Sequence, residues 1–396
     1  MKKYIPEAVG FSSERLGRIN VEMQKLIDKG TIAGCVSLVA RRGKVFYFDK
    51  QGMQDIAANK PMELDTIFRI YSMTKPITSI GLMMLFEQGL FRLTDPISKF
   101  IPEFKNVKVW ADGEKLTEPE REPTIQDLLR HTAGLSYGGY SEPIHPVDAM
   151  YDEREVGAGH LSLKEMSQRI AEIPLLCQPG RRWHYSFATD VAGYVIEVIA
   201  DMPIADYFEE KILAPLGMTD TAFTISEAKR DRFAEIYGPN QDGKLEVMDR
   251  KIVGEFGEHI RLHAPGAGLL STAADYLRFG QLVLNQGELE GVRLLGRKTM
   301  ELMTMNHVLP ELMPLVLGDP MPGIGFGLGF SVLMDPGQAA ILGSVGNHGW
   351  GGWASTKFWA DPKEEIVGIF MTQYIPNDAY SPREDYYTLV YQALVD

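Results

Sequence analysis

The chain has 396 residues, enough for two domains of ordinary size, and its 45 % hydrophobic and 23 % charged residues are the balance of a soluble globular protein. A net charge of −13, from 40 basic and 53 acidic side chains, argues against nucleic acid as a partner. The two cysteines, Cys35 and Cys177, have no metal-ligand spacing and are too few to build a fold on disulfides, so two free buried thiols are expected.

At the amino terminus Lys2 and Lys3 have no apolar run behind them, so no signal peptide is expected. Ser12 or Ser13 then suits the N-cap of a helix reaching about Lys29, with Leu16, Ile19, Met23, Leu26 and Ile27 as its apolar stripe and Gly30 as its stop. Residues 35–40 and 44–48 alternate as strands about the turn Arg41-Arg42-Gly43, a hairpin signal. A strand around Phe68 leads to Ser72 and to an apolar run over residues 77–90. That run contains Glu87 and is too short to span a bilayer, so it reads as a buried helix of a soluble, cytoplasmic protein with no membrane partner.

From Thr94 the character changes. Residues 112–123 are polar and loop-like. Thr124-Ile125-Gln126-Asp127 opens a helix to about His131, with Gly134 as a stop. A loop rich in Gly, Tyr and Pro runs to Pro146, and helices are predicted near residues 162–173, 188–200 and 204–213. Charge and turn residues dominate 226–257. Strand patterns return at 327–333, 356–360 and 365–370, and a last helix covers 383–394. Both ends thus read as helix plus antiparallel strands. The simplest architecture is one α/β domain of the α+β type, residues 1–95 and 262–396, with a mainly helical domain, residues 96–261, inserted into it.

Ser72-Met73-Thr74-Lys75 holds a serine and a lysine three residues apart, which share a helix face. A lysine beside a serine acts as its base when its surroundings favour the free amine. Ser226-Glu227-Ala228-Lys229 has the same spacing, but the following Arg230-Asp231-Arg232 marks a solvated face. Gly134-Leu135-Ser136-Tyr137-Gly138 matches the Gly-x-Ser-x-Gly nucleophile elbow, yet a helix rather than a strand precedes Ser136, so it reads as loop structure. His131 ends an apolar helix and reads as a structural histidine, and the eight histidines show no metal spacing. Tyr185, in Arg182-Trp183-His184-Tyr185-Ser186-Phe187, is either a packing tyrosine or a general base served by a cation such as Lys75. Asn347-His348-Gly349-Trp350-Gly351-Gly352-Trp353 is either a Gly-rich turn ahead of a strand or a place of close backbone approach to a ligand.

In this order the three pieces resemble the serine β-lactamase and penicillin-binding superfamily, and within it most closely the family VIII carboxylesterases, which are similar to class C β-lactamases. Ser72 and Lys75 match the Ser-x-x-Lys box, Tyr185-Ser186-Phe187 stands at the Tyr-x-Asn box, and Trp350-Gly351-Gly352 stands where β-lactamases carry Lys-Thr-Gly. Leu216-Gly217-Met218 and the run Pro265-Gly266-Ala267-Gly268-Leu269-Leu270-Ser271-Thr272 match as well.

The resemblance implies a β-lactamase/transpeptidase-like fold and an acyl-enzyme mechanism without metal or organic cofactor. Ser72 attacks an ester carbonyl, Lys75 and Tyr185 handle the proton, and the backbone amides of Ser72 and Trp353 hold the oxyanion. Trp350 and Phe187 replace the polar residues with which β-lactamases grip their substrate, which favours an uncharged short-chain acyl or aryl ester over a β-lactam. Tyr137, Phe187, His348, Trp350, Gly351 and Gly352 are the expected substrate-binding residues, with Tyr140 and Trp353 as further wall candidates. The alternatives are a β-lactamase, a D-amino-acid amidase or peptidase, or an acyl transferase with the same nucleophile, and, in another class, a non-catalytic ligand-sensing module.

Overall fold

In the computed structural model, which describes residues 2–111, 115–140, 145–254, 256, 257, 259–376 and 382–396, helix α1 spans Ser13–Asp28. The Ser12 side chain accepts the Arg15 amide and caps the first turn, and Leu16, Ile19, Met23 and Leu26 form the buried stripe. Strands β1 (Gly34–Arg41) and β2 (Lys44–Asp55) make the predicted antiparallel hairpin, and β3 (Lys60–Pro61) adds an edge. Every residue of β1 is buried because both faces are covered. Val36, Leu38 and Ala40 enter one apolar cluster, Cys35 and Val39 another, which is the two-residue period of a strand.

Phe68–Arg69 pairs with Leu270–Ser271, and one 3₁₀ turn, Tyr71–Met73, then leads into α2 (Thr74–Glu87). α2 is buried on all sides as its apolar run predicts, but it stops at Glu87, with Gly89 in the left-handed region at φ 75°. The polar stretch after it holds a hairpin of Val109–Ala111 with Lys115–Thr117 where a loop was expected, and residues 112–114 of that expected loop lie outside the described residues. α3 is Ile125–Leu129, shorter than expected because His131 takes φ 56° and turns the chain out of the helix. α4 (Pro146–Glu153) follows at once where the sequence suggested only loop before residue 162. α5 (Leu163–Ala171) and α6 (Ala188–Ala200) occupy predicted positions. α7 (Ile204–Phe208) continues as a π-helical turn, Glu209–Leu213. α8 (Ala273–Leu284), capped by Thr272, is a helix for which the sequence carried no expectation.

β4 (Ile324–Phe326) and β5 (Ser331–Leu333) correct the strand expected over residues 327–333. Residues 327–330 are instead the hairpin turn: the Gly327 amide donates to the Phe330 carbonyl, and the Leu328 and Gly329 amides donate to Met303 and Leu129 rather than to a strand. β6 (His348–Gly351) corrects the reading of a Gly-rich turn, and β7 (Lys357–Asp361), β8 (Ile366–Thr372) and α9 (Pro382–Tyr391) complete the chain.

One antiparallel sheet of eight strands results, in the order β4-β5-β6-β7-β8-β1-β2-β3, and its strands come from residues 34–61 and 324–372 alone. The two ends of the chain meet at β1 and β8, with Leu38 opposite Ile369. α1 and α9 cover one face, while α2 and α8 cover the other. The core on that second face continues through α2 into α5, α6 and α7, so sheet and helical region share one apolar interior. Among the described residues no helix is long and apolar enough to cross a membrane. Cys35 is buried and Cys177 half-buried, and both are free.

The turn leaving α3 carries residues 131–137 toward α2, and Asp127 fixes that turn. Its fully buried carboxylate accepts from Thr132 Oγ1 at 2.8 Å, from the Thr124 amide at 3.0 Å and from Arg130 and Arg121 at 3.0 Å. Burial pushes this carboxyl up, and the bonds from Arg121 and Thr124 outweigh burial and hold it at about 2. The folded value lies below the unfolded value, so the stability it contributes is complete above about pH 4 and is lost as pH falls toward 2. Asp127→Asn is expected to lower the unfolding free energy by about 2–4 kcal/mol at pH 7. Urea titration at pH 7 and pH 3 checks this, the deficit being smaller at pH 3.

Candidate active site

Two backbone facts set Ser72 in place. The Ile70 amide donates to the Leu269 carbonyl, continuing the short ladder before it, and Tyr71 then adopts φ 42°, a left-handed conformation unusual for a bulky residue. The Tyr71 hydroxyl anchors this kink by donating to the Val253 carbonyl at 2.8 Å. Ser72 thus sits half-buried in the 3₁₀ turn at the start of α2.

Lys75, one turn on, is wholly buried. Its Nζ donates to Ser72 Oγ at 3.2 Å, to the Tyr137 hydroxyl at 2.6 Å and to the Gly266 carbonyl at 2.7 Å, which uses all the donors an ammonium has. The predicted Ser72–Lys75 proximity is therefore present in the fold. The sequence suggests a pocket wall for Tyr137; the structure puts its hydroxyl on Lys75. The signal was hidden in the false elbow Gly134–Gly138, where attention falls on Ser136.

Tyr185 is half-buried, with Lys75 Nζ 4.7 Å from its ring centroid. Its hydroxyl accepts from Trp350 Nε1 at 2.9 Å. Lys75 therefore meets the Tyr185 ring, and the Tyr185 oxygen is held from the β6 side. Tyr137 lies between Tyr185 and Phe187, with ring centroids 5.3 and 4.4 Å away. Burial, reinforced by Tyr185 and Asp190, drives the Tyr137 phenol well above its ordinary value, so it keeps its proton. Burial and the charge of Lys75 drive His131 well below its ordinary value, so that imidazole is neutral.

β6 closes the site from the far side. Trp350 packs edge-on against Phe326 at 5.2 Å, and with Trp183, Met313 and Leu315 these rings form an apolar cluster that reaches Tyr185. At the end of β6, Gly352 has no room for a side chain: a Cβ there would lie 2.2 Å from Thr356 Oγ1 and 2.4 Å from the Ile70 carbonyl oxygen. This contact brings the Gly351–Trp353 backbone up to the Ser72 turn. Trp353 packs its ring edge-on against Tyr71, with centroids 5.5 Å apart. Phe187 and Trp350 are half-buried at the edge of this cluster.

His348 corrects an expectation. Expected at the substrate, it is wholly buried, with Nδ1 on the Gly346 carbonyl at 2.8 Å and its ring against Phe330. It opens β6, where β5 and β7 flank it on both sides, so the sheet encloses it. The side chain of Tyr140 lies outside the described residues. Ser136 is buried, donates to the Asp148 carboxylate and receives the Gly138 amide, which is a structural role. Ser226 precedes an exposed 3₁₀ turn whose Lys229 pairs with Asp220 at 3.0 Å. Among the described residues no group of three or more His, Cys, Asp or Glu side chains could hold a metal ion.

Comparison with known proteins bears on the family and the fold. A family model described as Beta-lactamase matches residues 20–393. Protein Rv1367c of Mycobacterium tuberculosis (strain ATCC 25618 / H37Rv) is 35 % identical over 368 residues, which covers 90 % of this chain and 89 % of that protein. Esterase EstB of Burkholderia gladioli is 30 % identical over 395 residues, 92 % of this chain and 90 % of that protein. Among solved structures, "EstCE1, a hydrolase with promiscuous acyltransferase activity" superposes with a TM-score of 0.81 at 28 % identity, covering 97 % of this chain and 99 % of that one.

The close fit at Gly352 yields a direct test. Gly352→Ala forces the β6 end away from Ile70 and is expected to destabilise the fold by about 1–3 kcal/mol, the cost of overpacking a filled site. Denaturant unfolding followed by tryptophan fluorescence reads the change.

Proposed function

This chain belongs to the beta-lactamase family, and within it we propose that it is a serine carboxylesterase of the family VIII type, cleaving uncharged short-chain acyl esters through an acyl-Ser72 intermediate. The observation that carries the reading is the Lys75 Nζ contact to Ser72 Oγ, 3.2 Å long and buried on the lysine side. Once its ammonium has released one proton to solvent, Lys75 takes the Ser72 proton while Oγ bonds to the ester carbonyl carbon. The oxyanion so formed is received by the backbone amides of Ser72 and Trp353. Collapse of the tetrahedral adduct expels the alkoxide, which leaves as the alcohol with the proton carried by Lys75 and Tyr185. Water then attacks the acyl-enzyme and gives a proton to Lys75, and collapse of the second adduct frees the acid as Lys75 returns that proton to Ser72 Oγ. Tyr137, protonated and hydrogen-bonded to Lys75, orients the amine.

The substrate class follows from the walls. Phe187, Tyr137 and Trp350, backed by Trp183 and Phe326, offer apolar surface to an acyl or aryl group. Trp350 stands where a β-lactamase has a lysine, so little grip remains for an anionic β-lactam. The esterase named among the relatives and the hydrolase named among the structures support the same reading. The acyltransferase activity named for EstCE1 favours a second reading of the same intermediate, in which an alcohol replaces water as acceptor. The two free thiols suit a reducing, cytoplasmic setting.

Hydrolysis of p-nitrophenyl butyrate is expected to fall by about 10³-fold or more in Ser72→Ala, and fluorophosphonate labelling is lost with it, while Ser136→Ala is still labelled. A larger kcat/KM on a chromogenic cephalosporin than on the butyrate ester overturns the esterase reading. Labelling that moves to Ser136 overturns the nucleophile.

A further inference from the structure

A buried ammonium needs a compensating charge, and its direct partners do not supply one. Ser72, Tyr137 and the Gly266 carbonyl are all neutral. The titratable groups facing Lys75 come from three elements. His131 and Tyr137 lie on the segment after α3, and Tyr185 just precedes α6. Asp190 lies in the first turn of α6. His131 is neutral and Tyr137 keeps its proton, which leaves Asp190 as the one carboxylate among these groups.

Asp190 also reaches Lys75 through the backbone. Its buried carboxylate accepts the Gly266 amide at 2.9 Å, and the carbonyl of the same Gly266 receives Lys75 at 2.7 Å. The fit excludes any side chain on this glycine, since a Cβ at Gly266 would lie 2.2 Å from Asp190 Oδ2. One turn further along α6, a Cβ at Gly193 would lie 2.2 Å from Pro265 Cγ, so α6 meets this loop closely at two points. From the other side α2 holds it: Thr78 Oγ1 donates to the Pro265 carbonyl at 2.6 Å, and Thr74 Oγ1 accepts the Leu269 amide at 3.1 Å. A loop clamped this way has one geometry to offer Lys75.

We propose that Asp190 is a positioning residue for the esterase reaction: its carboxylate pins Gly266, whose carbonyl aims Lys75 at Ser72, and its negative charge balances the Lys75 ammonium formed when Ser72 gives up its proton. This inference rests on the esterase reading above. Asp190 does not itself touch substrate. Its effect is to stabilise the protonated partner in the transition state, which appears in kcat rather than in substrate binding. Burial raises the Asp190 carboxyl to about 6 against the opposing pull of Lys75 and the Gly266 amide. Acidification through that range discharges it and removes the balancing charge.

The test uses the full chain and p-nitrophenyl butyrate. At pH 8, Asp190→Asn is expected to lower kcat about tenfold or more with KM within about twofold, because an amide keeps the acceptor oxygen but not the charge. Wild-type kcat/KM should fall as pH drops through about 6, and Asp190→Asn should lack that limb. Gly266→Ala, which displaces the same contact from the loop side, should show the same loss in kcat and keeps the test decisive if Asp190→Asn does not fold. A wild-type kcat in both variants, a loss carried by KM, or an unchanged limb near pH 6 overturns the proposal. Hydrolysis surviving in Ser72→Ala overturns the esterase reading itself. Hydrolysis abolished there but normal in Asp190→Asn overturns only the role of Asp190.

Discussion

The burial of one ammonium organises this molecule. Lysine is among the residues least often found fully inside a protein, because stripping water from its charge costs several kcal/mol unless every N–H finds a partner. Lys75 is wholly buried and each of its donors is taken. The partners come from widely separated stretches of chain: Ser72 from the start of α2, Tyr137 from the segment after α3, Gly266 from the loop ahead of α8. Each is secured by another feature of the fold. The left-handed Tyr71 and the Gly352 contact fix Ser72. Asp127 fixes the turn that delivers residues 131–137. α2 and α6 hold the Gly266 loop from opposite sides. A fold that failed to bring these pieces together would leave a charge stranded in its core.

This dependence explains which parts of the architecture were legible in the sequence. α1, the β1–β2 hairpin, α6 and the α3 capping box are written in local patterns: a cap, a stripe, an alternation, a turn. Those signals survive because the same residues perform the same local task in the folded chain. The Ser72–Lys75 spacing is local too, and it became meaningful only with Tyr185 and Trp350 in order behind it. What stayed hidden is set by distant contacts. β6 reads as a Gly-rich turn because its glycines answer to neighbours: a Cβ on Gly349 would strike the Phe358 carbonyl of β7, and one on Gly352 the Ile70 carbonyl. Residues 327–330 read as a strand because Leu328 and Phe330 are apolar, but their amides are spent on a turn and on Met303 and Leu129. His348 reads as a substrate-binding residue beside its glycines, and the flanking strands enclose it.

The tie of Tyr137 to Lys75, and Asp190 altogether, stayed hidden for a related reason. Each has an adequate local explanation, one as a tyrosine in a loop and the other as an acid in the first turn of a helix. Their relation to Lys75 spans 62 and 115 residues of sequence, and only the closed fold reveals it. An acid at a helix start is ordinary when exposed. At Asp190 it is buried and its acceptor oxygen is committed to a loop from another part of the chain, which local electrostatics does not require.

Trp350 shows how one substitution within the family pattern reaches both recognition and proton handling. Where β-lactamases carry a lysine, this chain has an indole. Its ring enlarges the apolar cluster of Phe326, Trp183 and Met313, which suits an uncharged acyl group. Its N–H holds the Tyr185 oxygen at 2.9 Å, so that oxygen is engaged from the β6 side while Lys75 lies over the ring. The direct contact to Ser72 therefore falls to Lys75, and the duty of balancing that lysine falls to a group that no lysine on β6 opposes. A β6 cation would have shared the small space around Tyr185 with Lys75 and added a like charge to an already crowded interior. With Trp350 in place β6 brings no second cation to Lys75, and the buried carboxylate of Asp190 is tied to that lysine through Gly266.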